Sequence, residues 1–328
     1  MKKYCLYIVW SLVTICGFAQ TNYYHNDVNT PHLKKIAFVH ATLFVDAETR
    51  INDAVLLVEN GMIKQSGKNI PIPTDYYIID LTGKYIYPSF IDIYSEYGMP
   101  PKKSKEPTNN QFNSNKRGPY NQNEAIHPEL RAAEMFATDE KLASQYRNLG
   151  FGCVVTHAMD GMARGTGCLV SLGKTSDNKA MILSDVSTHY SFNKGSSTQM
   201  YPSSLMGAIA LLRQTLYDAQ WYQTASQKET DLSLESYNKN KSLPKIFEAN
   251  DKWNILRAAK IANEFGIKYI YKAGGNEYQR LSEIKDLHCA LITSLNFQAA
   301  YKTDNPYVNE KYSFQQLLHW QMSPYNPH

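Results

Sequence analysis

Gly83-Lys84-Tyr85-Ile86-Tyr87-Pro88-Ser89-Phe90-Ile91-Asp92-Ile93-Tyr94-Ser95-Glu96 is the stretch that decides the fold of this 328-residue chain. A Thr-Gly turn signal opens it, and Ile86 to Ile93 is rich in β-branched and aromatic residues, which predicts a strand. Residues at i, i+2 and i+4 of a strand share one face. Asp92, Tyr94 and Glu96 are therefore expected to point the same way. Two histidines at the last two of these positions would clamp a divalent ion. The chain instead offers a phenol, whose ordinary pKa is near ~10, and one carboxylate, a weak ligand without partners. The pair equally suits a polar strand end that binds no metal.

Upstream, the pattern is of short strands and turns. Ile36–Phe44 and Asp53–Val58 read as strands, and Asn60-Gly61 supplies hairpin chemistry that returns the chain as Met62–Gly67. Ile70-Pro71-Ile72-Pro73 is extended, and Tyr76–Leu81 is a further strand. Strands running ahead of any helix predict a separate β-module. Downstream, residues 100–126 are dominated by Pro, Lys, Asn, Ser and Gln, and read as a mobile loop too polar to pack a core.

From residue 128 the chain alternates helix and strand. Pro128–Phe136, Asp139–Leu149, Met206–Tyr222, Lys252–Phe265 and Tyr278–Lys285 are expected helices, with Gly266 stopping the fourth. Cys153–His157, Leu169–Leu172, Ala180–Leu183, Lys245–Ala249, Tyr269–Tyr271 and Ala290–Leu295 are expected strands, and Lys228–Lys241 reads as a polar segment. Such alternation argues for a parallel sheet.

Two stretches together resemble the amidohydrolase superfamily, in its imidazolonepropionase-like branch. The opening segment matches a frame that reads roughly G-K-x-x-x-P-G-x-I-D-x-H-x-H. The order strand, Asn-Gly hairpin, Pro-rich link, Ile79-Asp80-Leu81-Thr82-Gly83-Lys84 resembles that family's N-terminal β-sandwich. The resemblance implies an α/β fold: a (β/α)8 TIM barrel, incomplete in this chain, with a small N-terminal β-sandwich domain. The implied layout is a signal peptide over 1–19, a linker over 20–35, the β-sandwich part over 36–86 and a partial barrel over 87–328 with its polar insertion at 100–126.

By the same resemblance the activity is metal-dependent hydrolysis of non-peptide, cyclic amide-like C–N bonds in a small molecule. The family's ligand positions are altered. Tyr94 and Glu96 replace the two histidines, Glu248 stands where a fifth-strand histidine precedes alanine, and Lys272 lies near the sixth-strand ligand position. No metal ligand and no cofactor are expected in this chain, unless Glu96, His157 and Glu248 rebuild a zinc site at the barrel mouth. Tyr94, Glu96, His157, Glu248 and Lys272 are thus the candidate site residues. Lys272 is the expected ion-pair partner of Glu248, because a lone buried carboxylate is costly. His189 and His288 show no evident partner. The alternative reading is a non-catalytic barrel half that binds a ligand or scaffolds a catalytic domain. Six or seven core strands precede His328, so a second amidohydrolase-like domain in a longer chain is the expected partner for the open strand edges.

Lys2-Lys3, the uncharged apolar run Tyr4–Phe18 and the small residues around Ala19 predict a cleaved export signal, with no stable membrane anchor. The expected location is periplasmic or extracellular. A net charge of +4 without a basic cluster beyond Lys102-Lys103-Ser104-Lys105 argues against nucleic acid binding. Cys153, Cys168 and Cys289 remain after the signal. They read as buried free thiols, with a Cys153–Cys168 bridge as the alternative.

Overall fold

The computed structural model describes residues 34–102 and 114–293. The expected signal peptide, most of the linker, the middle of the polar insertion, Ser294-Leu295 of the last expected strand and the tail lie outside the described residues. The chain divides into two units between Pro88 and Ser89.

The first unit holds β1 (Lys35–Phe44), β2 (Arg50–Glu59), β3 (Met62–Lys68), β4 (Tyr77–Asp80) and β5 (Tyr85–Ile86). They form one sheet in the order β3-β2-β1-β4, with β5 also beside β1. β2 runs antiparallel to β1 and β3, whereas β4 and β5 run parallel to β1. Asn60 (φ 52°) and Gly61 (φ 77°) both sit in the left-handed region that a two-residue hairpin turn requires. Along β1, Ala37, Val39, Ala41 and Leu43 are buried on one face, as the period of a strand demands. Among the described residues this unit is a single sheet.

The deciding stretch is not one strand. β5 ends at Ile86 and β6 (Phe90–Ser95) begins the second unit. Pro88 has no N–H to give a ladder, so pairing stops around it.

The second unit adds β7 (Phe151–Thr156), β8 (Ala163–Ser171), β9 (Met181–Ser191), β10 (Lys245–Glu248), β11 (Tyr269–Lys272) and β12 (Leu291–Ile292). The seven strands follow the order β12-β11-β10-β9-β8-β7-β6. The outer pairs are parallel, but β8 is antiparallel to both β7 and β9. This differs from the parallel sheet expected. A parallel crossover needs about a dozen residues or more, and the link from Thr156 to Ala163 is too short for one. Among the described residues the sheet is open, with β6 and β12 at its edges, and no barrel closes.

Helices pack against the sheet. Leu205–Thr224, capped by Ser204, joins β9 to β10. Lys252–Phe265, capped by Asp251 and ended at Gly266, joins β10 to β11 as expected. Leu212, Leu216, Ile255 and Ile261 pack with Phe247 and Met162 into the main core. A second core gathers Val154, Cys168, Val170 and Leu172 with Tyr97 and Phe136. No helix among the described residues is long and apolar enough to cross a membrane.

Three expectations change. The helix over Pro128–Phe136 shrinks to Ala132–Met135, because Arg131 bridges Thr166 and Leu130 O accepts its N–H. The polar segment Lys228–Lys241 contains a helix, Leu232–Lys239, started by the Asp231 cap. The described end of the insertion is packed: Ala125 and Ile126 are fully buried. Cys153, Cys168 and Cys289 are all free thiols, and burial pushes Cys168 up to about 11.

Candidate functional site

The C-terminal ends of β6, β7, β9 and β10, with the start of β8, carry a connected polar centre. Arg164, near the start of β8, is only 3 % exposed and organises it. Its Nε donates to Gly161 O at 2.9 Å, its Nη1 to the Tyr94 hydroxyl at 3.1 Å, and its Nη2 pairs with Glu248 Oε2 at 2.5 Å. Three strands, β6, β8 and β10, are thereby tied by one guanidinium. Burial raises the Glu248 carboxyl. The Arg164 charge and hydrogen bonds from Arg164, Asn250 and Tyr94 outweigh it and hold the pKa below its ordinary value. Burial, with Glu248 adding to it, drives the Tyr94 phenol upward against Arg164, so it stays protonated.

Beside this triad, two imidazoles stack. His157 follows β7, its backbone N donating to Ser95 O at 3.1 Å. Its ring lies against His189 of β9, centroids 3.4 Å apart and 11° from parallel. The Tyr94 ring meets His157 edge-on at 4.8 Å. Both histidines are buried, His157 completely. Burial lowers both, helped by Arg164 nearby and, for His157, by His189; His189 falls to about 3. His189 Nε2 shares a 2.8 Å hydrogen bond with Ser187 Oγ, whereas both His157 ring nitrogens and His189 Nδ1 lack a partner among the described residues.

Gly167 makes this packing possible. A Cβ there would lie 2.7 Å from His189 Nε2 and 3.0 Å from Ser187 Oγ.

Of the five expected site residues, four gather here. Tyr94, His157 and Glu248 are in the centre, and Lys272 places its ammonium 5.8 Å from the Tyr94 ring centroid. Glu96 does not join them. It lies past the end of β6, exposed, 3.6 Å from Lys102 Nζ, and lines a separate cleft with Met99, Met135, Asp139 and Leu142. The expected Glu248–Lys272 pair is also corrected. Lys272 Nζ donates to Ala273 O at 2.9 Å, and Glu248 takes Arg164 instead.

Sequence reading missed Arg164 and His189. Arg164 lies in Ala163-Arg164-Gly165-Thr166-Gly167, which matches no strand pattern, and the strand expected there began only at Leu169. An arginine facing a carboxylate two strands away leaves no local spacing to read.

The side chains present do not suit a divalent ion. Glu248 is neutralised by a fixed cation, Tyr94 keeps its proton, and Glu96 points elsewhere. The ring lone pairs of two face-to-face imidazoles lie in parallel planes and do not converge. Among the described residues no three His, Cys, Asp or Glu side chains gather as a metal set.

The fold is similar to that of a solved amidohydrolase. An amidohydrolase from Thermotoga maritima MSB8 superposes with a TM-score of 0.64 at 23 % identity, over 82 % of this chain and 72 % of that one. A second amidohydrolase gives 0.38 at 12 % identity, and a prolidase complexed with N-methylphosphonate-L-proline gives 0.39 at 11 %. Each of these two covers 80 % of this chain and 66 % of the other. No protein-family model matches the chain, and no curated protein matches it.

Proposed function

We propose that this chain is an exported protein of the amidohydrolase superfamily, of the imidazolonepropionase-like type, acting in hydrolysis of cyclic amide-like C–N bonds in small molecules. In this reading its described strand-end centre is a ligand-binding and supporting half, and the metal-bound nucleophile belongs to a second amidohydrolase-like domain. The carrying observation is the Arg164 guanidinium spanning Tyr94 and Glu248. A fixed cation occupies the carboxylate that a metal would need, and it supplies charge without an open coordination position. The β-sandwich completed by further strands, and cleavage of residues 1–19, belong to the same reading.

Elemental analysis of the whole purified chain after zinc or manganese loading tests it, together with hydrolysis of a panel of small cyclic amides. The expected result is no stoichiometric metal and no hydrolysis by this chain alone. About one ion per chain, lost on Glu248→Ala, overturns it.

A further inference from the structure

At the opposite, N-terminal ends of β10 and β11 lies a cavity of about 540 Å³, lined by Lys245, Ala259, Ile267, Ile270, Tyr271 and Cys289 among others. Its size falls within the range of small-molecule sites, and its lining is mostly apolar. One group in it is out of place. Lys245 is 8 % exposed, yet no carboxylate among the described residues lies within ion-pair distance of it. Among the described residues its ammonium donates only to the backbone carbonyls of Lys241 and Leu243, the second at 3.2 Å. An ammonium carries three donors and a full charge, so two neutral acceptors leave both a donor and the charge uncompensated. Burial accordingly lowers its pKa. A buried charge without a partner is costly, and an incoming anion would offset that cost. Elsewhere in the lining the charges of Lys268 and Asp286 offset each other, which leaves the Lys245 charge in excess.

We infer that this cavity is a second ligand site, independent of the Arg164 centre, that takes a small amphipathic monoanion, an aliphatic or aromatic carboxylate, with its acid on Lys245 and its apolar body between Ala259, Ile267 and Leu287. A neutral molecule of the same shape leaves the ammonium unpaired and loses the charge-assisted bond.

Cys289 reports on occupancy, because it lines the cavity half-buried, whereas Cys153 and Cys168 lie on β7 and β8. The experiment measures alkylation of each cysteine in the whole chain by mass spectrometry, with octanoate or octanamide added. Calorimetry of the same two probes runs beside it. Octanoate is expected to slow Cys289 alkylation selectively, and octanamide to bind about tenfold more weakly. Lys245→Met is expected to abolish that preference while folding at least as stably, since it replaces a buried charge with an apolar side chain of similar length. Equal affinity for the two probes, octanoate binding unchanged in Lys245→Met, or Cys289 alkylation indifferent to octanoate overturns the assignment.

Discussion

The imidazole of His157 lies flat against that of His189, ring centroids 3.4 Å apart, with the Arg164 guanidinium close by. Neither ring reaches solvent enough to be charged cheaply. In the folded chain both stay neutral well below the ordinary histidine value of ~6.5. The unfolded chain, by contrast, protonates both near ~6.5. Between there and about 3, where His189 titrates, the unfolded state binds more protons, so stability falls as pH falls. Each histidine contributes up to about 1.4 kcal/mol per pH unit in that window. Urea unfolding at stepped pH is expected to show the loss beginning below neutrality. His189→Leu is expected to flatten the slope by about one proton. A pH-independent midpoint across that window contradicts the neutral pair.

Arg164 and Glu248 form the other fixed relationship, a short ion pair with the arginine almost fully buried. Arg164→Met leaves the half-buried Glu248 carboxylate and the Tyr94 hydroxyl without their donor. Losing one partner of a buried pair costs about 3–5 kcal/mol. Arg164→Met with Glu248→Met removes both charges, and its cost is expected to be well below the sum of the single variants. Denaturant titration of the four proteins gives the coupling. Additive losses would mean that the pair does not hold the strands together. Glu248 has a depressed pKa. Its share of stability is therefore present above its unfolded value near ~4.3 and is lost as pH falls through the folded pKa.

The Lys252–Phe265 helix, with Asp251 before it and Gly266 after it, carries its start and stop in local chemistry, and its bounds were readable to the residue. The Asn60-Gly61 hairpin is of the same kind. That Tyr94, His157, Glu248 and Lys272 lie near one another follows from their places at or beside strand C-terminal ends. Their pairing does not. Arg164 comes from β8, whose glycines at 165 and 167 obscure a strand pattern, and an antiparallel strand in mid-sheet breaks the alternation that suggested parallel order. Glu96 was misplaced by one assumption, that the strand runs on to it. β6 stops at Ser95, with a register irregularity between Asp92 and Ser95, so the i, i+2, i+4 rule no longer applies.

Gly165 gives a sharper test of the β8 geometry. It has φ +79°, and a Cβ there would fall on the backbone carbonyl of Leu130. Leu130 O accepts the Thr166 N–H at 2.9 Å, which pins the segment before the Ala132–Met135 helix to β8. Gly165→Ala combines left-handed strain with a backbone clash, so it is expected to cost more than about 2 kcal/mol. Gly61→Ala has the same sign of φ and nothing within 4 Å, and is expected to cost only about 1 kcal/mol. Thermal midpoints of the two variants compare the two effects directly. Equal losses would show that Leu130 yields freely.

Glu124 explains why the described end of the polar insertion packs at all. It is buried, 7 % exposed. Its carboxylate accepts the Asn115 N–H at 2.7 Å and the Thr198 N–H at 2.8 Å, with Thr198 Oγ1 at 3.0 Å. Its own N–H donates to Gln199 Oε1 at 2.8 Å. The carboxylate thus cross-links residues 114–126 to the loop after β9, and Ala125 and Ile126 enter the core beside it. Burial pushes its pKa up, but the donors from Asn115 and Thr198 prevail and hold it low. Glu124→Ala strands two backbone N–H groups, at about 1–3 kcal/mol each. Glu124→Gln keeps the shape and one acceptor, and is expected to lose less. Hydrogen exchange localises the effect. In Glu124→Ala the amides of Asn115, Ile126 and Thr198 are expected to lose protection together, while those of β10 and β11 keep theirs. Loss spread evenly over the whole unit would mean that the insertion is an inseparable part of the sheet's core rather than a segment fastened by one carboxylate.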